Sequence, residues 1–246
     1  MKTKFLVKFM NRSAHLDADI ELADVVAISS LKGALYTSGS PYLFDAITQA
    51  QHPRLAARKN NPHNRKMAIR HLKASLCGSF LKEVYEDVTS YMRDILEAAA
   101  KNGLDPNRLI GDHKVSFEAN DILSAKNWHN VVHLVSKTVF RKIENEKNTK
   151  DLLKCMNVKL NLGIDPVKID NALPYLEIRH LLVHADGVAD ENFCKSFPSF
   201  GASAGVKIKL DFEVLQAARK AILELVCHFD KKVLSCKVVS NADIQP

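Results

Sequence analysis

Between Pro62 and Lys101 the apolar residues Ile69, Leu72, Leu76, Phe80, Val84, Val88, Tyr91, Ile95 and Leu96 recur almost throughout at intervals of three or four. That period places them on one stripe of an α-helix, since the two faces of a strand would need a period of two. Asn102-Gly103 supplies the stop. Similar periods appear elsewhere, and β-branched alternation is scarce. The chain therefore reads as mainly α. Its 246 residues fit one large domain or a domain with an extension, and 46% hydrophobic residues can bury a sizeable core.

Several further elements can be placed. Residues 15–36 carry Leu16, Ile20, Ala23, Val26, Ala27 and Leu31 near one helical face. The start, MKTKFLVKFMNRSAH, has an apolar run broken by Lys8 and ending at Met10, with no small-residue cleavage site after it. It reads as a short strand or helix start rather than a signal peptide. Ser40-Pro41 predicts the cap and first position of a short helix to about Ala50. Two helices are expected from Ser116 to Asn148, the second from about Asn127 to Glu144, and another ends at Gly163. Pro174 predicts that the next helix has its main part from Pro174 to a stop at Gly187. A short β element is expected at 206–210 (VKIKL), and Asp211 is placed to cap a last helix to about Val233. The organisation expected is an N-terminal helical extension over 1–60 and a helical domain over 61–240, packed as one unit.

Five cysteines without a CxxC pair argue against a disulfide framework or a cysteine-rich zinc site. No stretch approaches the roughly 18 uninterrupted apolar residues of a membrane span. A reducing cytoplasm, with no membrane partner, is the expected setting.

The net charge is +7, and it is unevenly placed. From Ala46 to Lys82 there is no Asp or Glu. Arg54, Arg58, Lys59, Arg65, Lys66, Arg70, Lys73 and Lys82 all fall in that stretch, so the rest of the chain is nearly neutral. A run of like charge is often only a solvated face. The absence of interleaved acid makes Arg54 to Lys73 a candidate surface for RNA or phosphate.

The stretch YLEIRHLLVHADG, residues 175–187, is of another kind. Ile178, Leu181 and Leu182 form an apolar arc. Arg179, His180 and His184 occupy the opposite broad arc, with Glu177 beside the histidines. His180 and His184 are one helical turn apart, so their rings can converge. Four readings fit these residues. One histidine could cap the helix and the other be satisfied structurally. The pair could hold zinc, together with His129 and His133 of HNVVH, but Leu181 stands where a zinc protease of the HExxH type needs glutamate. A third reading is metal-free RNA cleavage. There imidazoles transfer protons to and from the ribose 2′-hydroxyl and the leaving 5′-oxygen, while a guanidinium fork holds the phosphate. A fourth is a binding module that grips nucleotide or partner without turnover.

The segment Arg179-His180-Leu-Leu-Val-His184 resembles the Rx4H motif of the HEPN superfamily, in which the residue after Arg is polar, often Asn and sometimes His or Asp. The likeness extends over about residues 165–235: a motif at a helix end, then a loop, then a long last helix, as in larger stand-alone prokaryotic HEPN proteins of the RiboL-PSP type. The 62–101 helix would be a first core helix. The resemblance implies an up-and-down helical bundle acting as a homodimer, with two Arg179/His184 sets lining one cleft. It implies metal-independent endoribonuclease chemistry without a cofactor, leaving a 2′,3′-cyclic phosphate and a 5′-hydroxyl. His184 would transfer the proton, Arg179 clamp the phosphate and His180 support them, with Glu177 as a possible orienting group. RNA would lie along Arg54, Arg58, Lys59, Arg65, Lys66, Arg70 and Lys73. A toxin–antitoxin or phage-defence role would add a partner protein. The alternative is a non-catalytic HEPN module in a two-component system.

Overall fold

The sequence from Pro62 to Lys101 forms a single helix, and the other long helices pack against it. The computed structural model describes residues 1–44, 47–113, 115–146 and 148–245. Ten α-helices lie among the described residues: α1 (Lys4–Leu31), α2 (Pro53–Ala56), α3 (Pro62–Lys101), α4 (Pro106–Ile110), α5 (Ala119–Ser124), α6 (Trp128–Glu146), α7 (Thr149–Leu160), α8 (Pro166–His184), α9 (Glu191–Ser196) and α10 (Phe212–Ser235). The fold is mainly α, a helical bundle, as the periodicity requires.

Helix α3 has 40 residues, so it is about 60 Å long. Asn61 caps it, its side chain accepting from the Asn64 amide at 2.8 Å, and Pro62 occupies the first turn, where no amide hydrogen is needed. Its stripe residues Phe80, Val84, Val88, Tyr91, Ile95 and Leu96 are all buried. Helices α1, α6, α7, α8 and α10 contact it. α1 runs antiparallel to α3, and three ion pairs fix the register: Lys8–Asp94 at 2.9 Å, Arg12–Asp87 at 2.8 Å and Lys73–Asp24 at 2.6 Å. Leu6 and Phe9 of α1 enter the same core as α3, α8 and α10. Ala27, Leu43 and Ile69 are buried outside that core, so the second half of α1 and the first turns of α3 form a smaller arm of their own.

The start of α1 is tied down by a buried polar cluster. The Thr3 hydroxyl accepts from the Leu6 amide at 3.1 Å and donates to Asp230 of α10. The Thr3 amide and the Tyr91 hydroxyl also donate to Asp230, each at 3.1 Å. Burial, then the neighbouring Asp230 carboxylate, push the Tyr91 phenol well above its ordinary value, so it remains a donor. Lys159 makes a second buried anchor. Its ammonium donates to the carbonyls of Arg108, Leu109 and Ile110 at 3.2, 2.8 and 3.2 Å, occupying the open carbonyls at the end of α4.

Four expectations need correction. The helix expected over 15–36 has other bounds: the strand or helix start read in the first residues is the strand Lys2–Thr3 followed by α1, which begins at Lys4 because Thr3 caps it, and α1 ends at Leu31. Helix α8 does not begin near Pro174. It begins at Pro166, capped by the Asp165 side chain on the Val167 amide at 3.0 Å, and runs through Pro174. A proline there removes one intrahelical bond, to the carbonyl of exposed Asp170, and packing of Leu173 and Leu176 holds the helix together across it. The strand expected at 206–210 is reduced to an isolated bridge, Lys207 to Val188. Its partner segment between α8 and α9 is too short for a ladder. The described sheet instead pairs β1 (Lys2–Thr3) with β2 (Ile244–Gln245), antiparallel. Finally, residues 41–44 form bends rather than the start of a helix to Ala50; Asp45 and Ala46 of that stretch lie outside the described residues.

Candidate active site on the last turns of α8

Helix α8 is buried over most of its length, through Ile169, Ala172, Leu173, Leu176, Ile178 and Leu181. Its last two turns open one side to solvent. Arg179 is part-buried on that side, while His180, Val183 and His184 are exposed. The end of the helix is fixed by its stop. The Ala185 and Gly187 amides both donate to the Leu181 carbonyl at 2.9 Å. Gly187 adopts a φ of +77°, and a Cβ there would lie 3.3 Å from Leu182 Cδ2, so the position calls for glycine on both counts. The returning chain then docks, with Ile208 donating to the Gly187 carbonyl at 2.8 Å.

The two imidazoles do converge. The His180 and His184 ring centroids lie 4.7 Å apart, tilted by 47°. Arg179 takes a different direction. Its guanidinium sits 4.8 Å from the Tyr85 ring centroid and 3.3 Å from Glu86 Oε1, both on α3. The Arg179 side chain is 30% exposed, so the ion pair is partly screened and weak, about 1 kcal/mol at most. Burial raises the Tyr85 phenol above its usual value despite the pull of Arg179. Burial, then the nearby Glu86 carboxylate, raise Glu144 on α6. The guanidinium is therefore held between an aromatic face and acidic groups, a short way around the helix from the imidazoles. Tyr85, Glu86 and Glu144 escaped sequence reasoning, whose only signal was a tyrosine on the flank of the α3 stripe.

Glu177 lines a cavity of about 490 Å³ together with His180. Among the described residues no hydrogen bond joins Glu177 to either imidazole.

The basic residues are not at this strip. Arg54 lies on α2, Arg58 and Lys59 follow it, and Arg65, Lys66, Arg70 and Lys73 lie in the first turns of α3. At about 1.5 Å per residue, Lys73 and Arg65 are roughly 20 and 30 Å along α3 from Glu86. Five of the seven are exposed: Arg54, Arg58, Lys59, Lys66 and Arg70. Arg65 donates to Asn60 at 2.8 Å and lies over the Tyr36 ring, and Lys73 is paired with Asp24. His133 of HNVVH bonds Glu97 at 2.7 Å. Among the described residues no group of three or more His, Cys, Asp or Glu is placed to hold a metal ion, and no helix is long and apolar enough to cross a membrane.

The fold and strip define a mainly α helical bundle that presents an Arg-His-x3-His surface at the end of a core helix. The chain matches no protein-family model, no curated protein and no solved structure.

Proposed function

We propose that this chain is a metal-independent endoribonuclease of the HEPN type, active in the cytoplasm as a homodimer. The observation that carries the reading is the pairing of two solvent-facing imidazoles, 4.7 Å apart, one residue beyond an arginine on the last turns of a core helix. His184 takes the proton of a ribose 2′-hydroxyl as its oxygen attacks the adjacent phosphorus. The bond to the 5′-oxygen breaks, that oxygen is protonated by a second imidazole, and a 2′,3′-cyclic phosphate remains. Arg179 stabilises the charge on the phosphorane. The strip is open in one chain, so a second copy meeting it would supply the facing wall of a cleft. A toxin or phage-defence role would add a partner that restrains the enzyme.

The test is incubation of purified protein with total RNA in EDTA. Expected products carry cyclic-phosphate and 5′-hydroxyl ends, with cleavage rates unchanged by chelator. Intact RNA under all conditions overturns the reading.

The exposed basic residues of the arm support RNA binding. Replacing Arg54, Arg58, Lys59, Lys66 and Arg70 together by alanine is expected to weaken RNA binding and flatten its salt dependence. The loss in log–log slope should be roughly 3.5, since each of the five lost phosphate contacts on a single strand removes about 0.7. Unchanged affinity would take the arm out of RNA recognition.

One observation favours the alternative, a non-catalytic binding module. The Arg179 guanidinium is already engaged by Tyr85 and Glu86, and it must leave Glu86 to reach a phosphate near the imidazoles.

A further inference from the structure

The cavity beside His180 lies between α8, the start of α7 and α9, and its chemistry is divided. Leu173, Leu181 and Phe193 are buried in its wall, and the half-buried Phe197 ring lies 5.1 Å from that of Phe193. Of these, Phe197 keeps part of its ring open to the cavity, and proteins commonly receive the flat face of an unstacked base on such an aromatic side chain. The volume, about 490 Å³, is in the range of small-ligand sites and suits one nucleotide rather than a duplex.

The rim is polar and carries a definite pattern. Asp190 Oδ1 accepts from the Phe193 amide at 2.7 Å, and the other carboxylate oxygen has no partner among the described residues. Asn148 Oδ1 accepts from the Asp151 amide at 2.8 Å, which leaves the Asn148 NH2 group to donate. Lys150, also on the rim, is held among the described residues by a 3.5 Å pair with Asp170 alone. Two carboxylates, Asp190 and Glu177, and the donors of Asn148 and Lys150 are thus set around a slot that is apolar at its base, with His180, Asn192 and Ser196 completing its polar rim. Guanine presents two adjacent N–H donors, N1 and N2, and an O6 acceptor next to them. Adenine and cytosine would turn a ring-nitrogen lone pair toward the carboxylate, and uracil offers a single donor between two carbonyls.

We propose that this cavity seats a guanine of single-stranded RNA, so that cleavage falls beside guanines. The inference rests on the RNA-cleaving reading of the α8 strip for its position next to the scissile bond. The guanine seat itself rests on the cavity alone.

Two measurements separate them. In the first, the full chain digests a random-sequence single-stranded RNA pool in EDTA, and the new ends are sequenced. Guanine is expected at one fixed position relative to the cut, enriched about tenfold, the discrimination one two-point base contact supplies. In the second, His184→Ala is titrated with short labelled oligonucleotides that differ in one base. The guanine oligonucleotide is expected to bind about tenfold more tightly than the other three. Asp190→Asn keeps an acceptor for the Phe193 amide but turns the other rim acceptor into a donor. It should abolish the preference while the melting temperature stays unchanged. Phe197→Ala should weaken binding of all bases. Cleavage without base preference overturns the guanine seat and leaves the ribonuclease reading standing. Guanine-selective binding with no cleavage by the wild type supports the seat and overturns the ribonuclease reading. Equal binding of all four oligonucleotides, unaltered by Asp190→Asn, overturns the seat outright.

Discussion

His184→Ala is expected to lower RNA cleavage about a thousand-fold while leaving the fold intact. Removing a positioned proton-transfer group typically costs 100- to 10,000-fold in rate. His184 is exposed in the last turn of α8, with its ring beside that of His180, so little packing is lost with it. Arg179→Ala should match it in activity but not in stability. Its side chain covers Tyr85 and pairs with Glu86, so a drop of about 1 kcal/mol accompanies the loss. Arg179→Lys keeps the charge but not the planar fork, and should recover only a small part of the rate. Measured together, initial cleavage rates and thermal melts separate the two readings of the strip. A catalytic strip loses rate at both positions and stability at one. A binding module has no rate to lose, and residual cleavage equal to the wild type in His184→Ala would remove the motif from the chemistry.

Asp230→Ala should have the largest effect on stability of any single change in the polar interior. Asp230 is 1% exposed and accepts from the Thr3 amide, the Thr3 hydroxyl and the Tyr91 hydroxyl. Alanine strands all three donors away from water. At about 1–3 kcal/mol for each unsatisfied group, partly relieved by rearrangement, the loss is on the order of 4 kcal/mol. For a chain of this size that lowers the melting temperature by roughly 10 °C. Asp230→Asn retains one acceptor oxygen but turns an NH2 group toward donors, so it should recover about half. A chemical-denaturation curve for Asp230→Ala within 1 kcal/mol of the wild type would show that water or side-chain movement satisfies the cluster.

What could be read from the sequence was what repeats locally. The α3 stripe, the Asp211 cap and the stop at Gly187 each depend on residues close together in the chain, and each appears in the structure. Pro174 misled because local propensity was given more weight than burial on both sides of it. The 206–210 segment has strand alternation, but a ladder also needs a partner, and α8 and α9 leave only a few residues for one. At the strip, the convergence of His180 and His184 follows from their spacing. The direction of Arg179 does not, because Tyr85 and Glu86 come from a distant helix. For the same reason Lys73 read as a free cation: Asp24, which neutralises it, belongs to α1.

The length of α3 gives the molecule a ruler. One rigid helix carries the exposed basic turns at its start and, roughly 20–30 Å further on, the residues that hold Arg179. On the proposed RNA-cleaving reading, a strand gripped at the arm is tethered, and its free part samples the strip at an effective concentration set by that span. Oligonucleotides too short to bridge the distance gain nothing from the arm and meet the strip only by free diffusion. Chain length, quite apart from sequence, thereby becomes a criterion by which such a molecule sorts what it encounters.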